Sequence, residues 1–237
     1  MENEIFPIVT FDVEKKKWKC LGTGYFINPN GAFVTAKHVF INSQGVYRKT
    51  LYSAHEGKNS AYIRPVKFLS AHNEADICIG MLGEGRVGNQ HFLPPLANYC
   101  HLDLNPLKNG DKIYTSAYPN TISEDLDDSA TEFTFTRISS KGTVEDFHEK
   151  GPGILQNRCY QTTMEIKSGA SGGPVFKDGY IVGINSSGYD FIEDETPLSF
   201  ITPIDYILDM TVSEKGKSVS IRDLIRSGHI SVKKNFA

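Results

Sequence analysis

The sequence predicts an all-β fold of the barrel or sandwich kind, and three observations carry that expectation. Short runs of alternating or β-branched residues recur along the 237 residues, each bounded by Gly, Pro, Asn or Asp. No helical patterns of roughly 10 to 15 residues separate them, as a doubly wound parallel sheet would require. With 39% hydrophobic and 22% charged residues beside 21 Gly and 11 Pro, the composition is that of a turn-rich globular protein, neither disordered nor collagenous. The length allows one large domain or two small ones, and burial of roughly three-quarters of the unfolded surface, so the core needs no disulfides.

In chain order the strand-like runs are 20–27, 32–36, 61–69 and 77–82, then 112–117, 132–138, 158–163, 180–186 and 198–202. Between the two groups, 83–108 contains Pro94, Pro95 and Pro106 and marks a connection between halves, with the boundary near Tyr99. Glu124, Asp125, Asp127 and Asp128 cluster at 120–130, which reads as a solvated acidic loop, because the glycine and spacing of an EF-hand calcium loop are missing. The C-terminal part changes character. Residues 205–210 are short and helix-compatible, and 220–226 spaces Ile221, Leu224 and Ile225 at helical intervals, between Ser220 as a cap and Gly228 as a stop.

Charge and cysteine usage exclude several functions. A formal net charge of −3 leaves no broad cationic surface to neutralise a phosphate backbone, so nucleic acid is not an expected ligand. Residues 1–20 carry acidic groups where an export signal needs positive charge, and no run approaches the roughly 20 apolar residues of a membrane helix. A soluble, cytoplasmic protein without a membrane partner is expected. Cys20, Cys78, Cys100 and Cys159 lie far apart without CxxC spacing and read as free thiols, and no metal or other cofactor is expected.

The most informative segment runs Ser168-Gly169-Ala170-Ser171-Gly172-Gly173-Pro174. A serine among glycines can sit on a sharp turn with its hydroxyl projecting and neighbouring N–H groups converging beside it, the arrangement of a nucleophile and its oxyanion hole. Such a segment can equally be a plain turn. A serine nucleophile also needs a base, and the base needs a carboxylate to hold its tautomer. Of seven histidines, His38 alone directly follows an apolar strand, in Phe33-Val34-Thr35-Ala36-Lys37-His38-Val39. Asp76 precedes the apolar Ile77-Cys78-Ile79, where a carboxylate is costly unless paired. His72, four residues before Asp76, lacks the partners of a metal site and reads as a surface residue. His55, His91, His101, His148 and His229 show no partner pattern.

These blocks, with Gly22-Thr23-Gly24-Tyr25-Phe26-Ile27 ahead of them, resemble the chymotrypsin/trypsin family, and within it the bacterial HtrA/Deg branch. The order His, Asp, Ser matches, and the likeness covers roughly residues 22–203. It implies two six-stranded antiparallel β-barrels with short C-terminal helices. The implied division is 1–98 for the barrel carrying His38 and Asp76, 99–204 for the barrel carrying Ser171, and 205–237 for a helical extension. It further implies Ser171 as nucleophile, His38 as base and then acid, Asp76 as the group orienting His38, and the amides of Gly169 and Ser171 as the oxyanion hole. Ser186, Ser187 and Gly188 would pair with an extended substrate, and Ser199 would lie on the strand backing the specificity pocket.

The chain departs from that pattern in places. Zymogens of the family pair a new N-terminus with an aspartate just before the nucleophile; Ala170 stands there, so restraint must come from loop ordering or an activating partner. No cysteine follows His38 or flanks Ser171, so no family disulfide is expected, and the length leaves no room for a following PDZ domain. Glu165, six residues before Ser171, occupies the pocket-floor position of digestive enzymes. It would either select Arg or Lys in the substrate or point to water, as HtrA-type loops take aliphatic side chains. The expected function is a serine endopeptidase cutting a protein or peptide through an acyl-enzyme. The alternatives are a binding or regulatory module with a latent site, and an esterase or acyltransferase using the same residues.

Overall fold

The computed structural model describes residues 4–13, 16–42, 44–48, 50–56, 61–87, 90–92, 98–119, 121–127, 130–153, 155–188, 198–214 and 217–233. Its first six strands are β1 (Ile5–Asp12), β2 (Lys17–Phe26), β3 (Ala32–Thr35), β4 (Tyr52–Glu56), β5 (Ala61–Ala71) and β6 (Cys78–Leu82). They pair in the order β4-β1-β2-β3-β6-β5, and a β4–β5 pairing closes the ring. Two short strands, β7 (Gly85–Val87) and β8 (Gln90–Phe92), extend the sheet beyond β5.

The second barrel is built from β9 (Lys112–Ala117), followed after a hairpin of β10 (Ile122–Asp127) and β11 (Ala130–Thr134) by β12 (Ile138–His148), β13 (Cys159–Thr162), β14 (Pro174–Lys177), β15 (Tyr180–Gly188) and β16 (Ser199–Pro203). It closes in the order β12-β13-β16-β15-β14-β9. The fold is therefore all-β, with two six-stranded antiparallel barrels, as the motifs imply. Two readings of the sequence change. Within the acidic segment, 122–127 forms β10, paired antiparallel with β11, rather than a loop; the side chains of 122–132 lie outside the described residues. The run 132–138 is the end of β11, a break at 135–137 and the first residue of β12.

Each barrel has its own core. In the first, Phe6 packs on Phe26 and Phe33 at 4.8 and 5.3 Å between ring centroids, and Phe33 stacks on Phe40 at 6.2 Å. In the second, Ile113, Val144, Met164, Val175 and Ile201 form the centre. Gly80 in β6 faces Phe33 and Phe40 in the barrel interior, so the alternating neighbours Ile79 and Met81 point outward. The C-terminal extension covers that outward face. It consists of a 3₁₀ helix (Ile204–Asp209), a hairpin of β17 (Thr211–Glu214) and β18 (Lys217–Ser220), and a helix, Ile221–Arg226. Ile207, Met210, Ile221 and Ile230 join the first barrel's core cluster although they follow the second barrel in sequence. Ser220 caps the final helix, its Oγ accepting the Asp223 N–H at 3.1 Å, and the chain leaves through Gly228 at φ +76°.

The four cysteines are free; Cys78, Cys100 and Cys159 are buried and Cys20 is half-buried. Burial raises every thiol, Cys20 to about 11 and Cys100 to about 12, which makes them poor nucleophiles at neutral pH.

Buried in the first barrel, the His55 ring stacks on Tyr62 at 5.2 Å and Nε2 meets Ser53 Oγ at 2.8 Å. Burial first, and the Arg64 charge second, lower its pKa from 6.5 to about 3. Below pH 6.5 the unfolded chain takes up a proton that the folded chain refuses until about pH 3, so stability falls as pH falls through that window. Chemical denaturation between pH 7 and 4.5 should show this loss, and His55→Phe should flatten the slope below pH 6 by about 1.4 kcal/mol per pH unit.

Candidate active site

β3 leads through Ala36 into a single helical turn, α1 (Lys37–Phe40), which presents His38 at the rim of the first barrel. The turn between β5 and β6 presents Asp76 beside it. Two contacts shape that turn. Lys37 Nζ donates to the carbonyls of His72 and Asn73 at 2.9 and 3.0 Å. The N–H groups of Glu74 and Ala75 both donate to His72 Nδ1, at 3.1 and 2.9 Å. An Nδ1 that accepts two hydrogen bonds carries no proton, and burial lowers the His72 pKa in the same sense. His72, read from sequence as a surface or loop residue, lies in the loop between β5 and β6 and is the acceptor around which the Asp76 turn folds.

The Asp76 carboxylate holds His38 at two points. Oδ1 accepts the His38 backbone N–H at 3.0 Å, and Oδ2 lies 2.9 Å from His38 Nδ1. A carboxylate only accepts, so Nδ1 carries the ring proton and Nε2 is left with a free lone pair. The Asp76 side chain is 14% exposed and that of His38 46%, so the pair lies at the wall of an open cleft. This cleft, of about 460 Å³, is also lined by Leu155, Asn157, Ser186 and Ser187. Asn157, from the second barrel, reaches across it: Oδ1 accepts the Asp76 N–H at 3.3 Å while Nδ2 donates to Thr202 Oγ1 at 3.2 Å. Thr202 in turn meets Ser186 Oγ at 2.7 Å.

Ser171 sits on the predicted sharp turn. Gly169 and Gly172 have φ of +88° and +81°, which only glycine adopts without strain. A Cβ on Gly172 would stand 2.1 Å from Thr35 Oγ1 and 2.5 Å from the Thr23 carbonyl, so the turn is pressed against the first barrel. Thr23 fastens it there. Its N–H donates to the Ser171 carbonyl at 2.8 Å and its Oγ1 to the Gly169 carbonyl at 3.2 Å, while the Tyr118 N–H donates to Oγ1 at 3.1 Å. From below, Asn185 Nδ2 donates to the Ala170 carbonyl at 3.2 Å, and its carbonyl accepts the Gly172 N–H at 2.8 Å. The N–H groups of Gly169 and Ser171 donate to no described group and remain available. No hydrogen bond joins Ser171 to His38 in this conformation.

Ala170 is buried in the second barrel's core cluster, with its N–H spent on the Lys167 carbonyl at 2.9 Å. A carboxylate there would be desolvated among apolar neighbours.

The remaining sequence-predicted residues separate into three places. Ser186, Ser187 and Gly188 extend β15 past its last pairing with β14, so they are bonded only to β16 and keep one edge open. Glu165 does not face the cleft. It is half-exposed, paired with Lys167 at 3.3 Å, and its N–H donates to Ser140 Oγ, so it is not available as a pocket floor for a basic side chain. Ser199 is fully buried, its hydroxyl donating to the Met164 carbonyl at 2.7 Å, and therefore braces the wall instead of touching a ligand. Gly188 also lies directly against Ile166, with an added Cβ reaching within 2.6 Å of its carbonyl oxygen, so in this conformation the two segments leave no room between them for a large side chain.

Residues 22–184, more than half of the chain, match the family described as a trypsin-like peptidase domain. The chain belongs to that family. The peptidase domain has no match among curated proteins. Its fold is similar to that of the active form of the Rv3671c protease from M. tuberculosis, at 16% identity over 86% of this chain and 77% of that one, with a TM-score of 0.57. It is also similar to Deg5, at 17% identity over 88% and 86% with a TM-score of 0.56. The protease domain of MamO from Magnetospirillum magneticum superposes with a TM-score of 0.57 at 13% identity, over 84% and 91% of the two chains. The trypsin-like fold of HtrA/Deg-type protease domains is thus the fold of this chain.

Thr23 offers a direct check on the junction. Thr23→Val keeps the shape but leaves the buried Tyr118 N–H and Gly169 carbonyl without that partner, and should cost about 1–3 kcal/mol in urea denaturation.

Proposed function

We propose that this peptidase domain is a serine endopeptidase that cleaves protein or peptide substrates through an acyl-enzyme, with Ser171 as nucleophile, His38 as base and then acid, and Asp76 as the orienting carboxylate. The observation that carries the reading is the two-point grip of Asp76 on His38, which fixes the proton on Nδ1 and turns Nε2 into the base.

In the reaction His38 Nε2 takes the Ser171 hydroxyl proton as Oγ bonds to the scissile carbonyl carbon, and the carbonyl π electrons move onto oxygen. The unspent N–H groups of Gly169 and Ser171 are the donors for that oxyanion, each such donor contributing about 3–4 kcal/mol to transition-state stabilisation. Protonated His38 then gives its proton to the leaving amine as the C–N bond breaks, and a water repeats the sequence to free the acid. The open edge at 186–188 is suited to an extended backbone, which favours a peptide over a small ester. The spent Glu165 and the close approach of Gly188 to Ile166 favour small or aliphatic side chains over Arg or Lys at the cleavage point.

Completing the relay requires a hydrogen bond from Ser171 Oγ to His38 Nε2, which catalytic groups often form only when substrate binds. Its absence here supports a second reading, a latent member of the family that needs an activating partner. We propose a cytoplasmic location, a reading that the four free thiols support.

A fluorophosphonate probe distinguishes the two. Labelling of the wild type, lost in Ser171→Ala and slowed at least about a hundredfold in His38→Ala, is the expected result; a folded wild type that stays unlabelled even with substrate peptides present would remove the enzyme reading. Asn157→Leu should keep the fold yet slow labelling by about tenfold and shift its pH profile, because the Asp76 turn loses its tie to the second barrel.

A further inference from the structure

Asn28 and Asn42 each fold a tight turn by accepting two backbone N–H groups on Oδ1. Those of Asn30 and Ala32 reach Asn28 at 3.0 Å, and those of Gln44 and Val46 reach Asn42 at 3.0 and 2.9 Å. The Asp76 turn is built the same way, with one chemical difference. Its acceptor is a ring nitrogen, His72 Nδ1, which receives the N–H groups of Glu74 at 3.1 Å and Ala75 at 2.9 Å. An amide oxygen accepts at every ordinary pH, whereas an imidazole nitrogen accepts only while it holds no proton. Once protonated, Nδ1 is a third donor facing two donors, so the turn must open or the ring must leave it.

The turn is closed by the His72 N–H on the Ile77 carbonyl at 3.0 Å, and Lys37 Nζ ties it to the helical turn that carries His38. Asp76 directly follows Ala75, and its carboxylate grips both the backbone and the ring of His38, so a shift of the turn moves both contacts. Charged and titratable groups face His72 from each element around it: Lys37 on α1, Glu74 in the turn, Tyr206 and Asp209 on the 3₁₀ helix, and Arg158 just before β13. Tyr206 meets the His72 ring edge-on at 4.9 Å, and Arg158 lies over the Tyr206 ring at 4.4 Å. Partial burial first, and then the Lys37 and Arg158 charges, outweigh the pull of Asp209 and Glu74 and hold the His72 pKa below 6.5. The ring is therefore neutral at pH 7.

We propose that His72 is a positioning residue of the peptidase site: its neutral ring holds Asp76 in register with His38, and a proton on Nδ1 releases that hold. The effect on catalysis rests on the reading of Ser171, His38 and Asp76 as the reacting set; the effect on the turn does not.

Fluorophosphonate labelling of the full-length protein is followed from about pH 8 to pH 4.5, beside the hydrogen-exchange protection of the Glu74 and Ala75 amides. In the wild type the logarithm of the rate should fall by about two per pH unit at the acid end, one proton for His38 and one for His72. Protection of both amides should be lost over the range in which the His72 ring titrates, while circular dichroism stays unchanged. His72→Leu, which fills the space without accepting, should label at least about tenfold more slowly at neutral pH. His72→Asn supplies an acceptor of the Asn28 kind; it should rescue that rate, keep the protection into acid and show a slope of about one. Equal acid slopes in wild type and His72→Asn, or wild-type amides that stay protected after the His72 ring has titrated, would overturn the proposal. A wild type that labels at no pH yet loses amide protection in acid, where His72→Asn keeps it, would remove the peptidase reading and support the part assigned to His72 in the turn.

Discussion

The two barrels meet at Thr23, and the geometry of the cleft depends on that meeting. His38 and Asp76 come from the first barrel and the Ser171 turn from the second, so their spacing is set by whatever joins the two sheets. Thr23 joins them through three hydrogen bonds, two to the turn and one to Tyr118. Gly172 makes the contact close, since any larger residue would collide with Thr35 and the Thr23 backbone. These directed hydrogen bonds fix one register, while Tyr118, Ile181 and Ile184 of the second half pack into the first barrel's core cluster around them.

His38 and Asp76 are organised differently, by short-range contacts. Lys37 and His72 build the Asp76 turn from within about 40 residues of sequence, and Asp76 then grips both the backbone and the ring of His38. Asn157 of the second barrel is hydrogen-bonded into this half of the site. The His38 ring is therefore held in place whether or not Ser171 engages it, and Gly188 and Ile166 are the closely packed segments of the cleft.

Much of this was legible in the sequence because it rests on short patterns. Strand 112–117 coincides with β9, and the Ser220 cap and Gly228 stop bracket the last helix as the side-chain chemistry dictates. What was missed has physical causes. β1 contains Pro7, which argues against a strand paired on both sides, and β12 carries Lys141, Glu145 and Asp146 on exposed positions, so its apolar alternation is too weak to register. For Glu165 spacing from Ser171 left two directions open, into the pocket or to water, and the side chain takes the second, half-exposed beside Lys167. Thr23 and Asn157 act through backbone groups distant in sequence, and His72 through near ones. The two-residue and three-residue reach of His72 to Glu74 and Ala75 is the local signal that could have been read beforehand.

The C-terminal extension has a bearing on how the molecule is made. Translation delivers all six strands of the first barrel, and then the whole second barrel, before residues 204–230 leave the ribosome. Until then Ile79 and Met81 face water with nothing over them, on the strand that directly follows Asp76. Elements that follow the second barrel in sequence thus seal the first sheet, and until they emerge a nascent chain holds a bare apolar surface on the strand next to Asp76, the kind of transiently exposed patch that promotes aggregation.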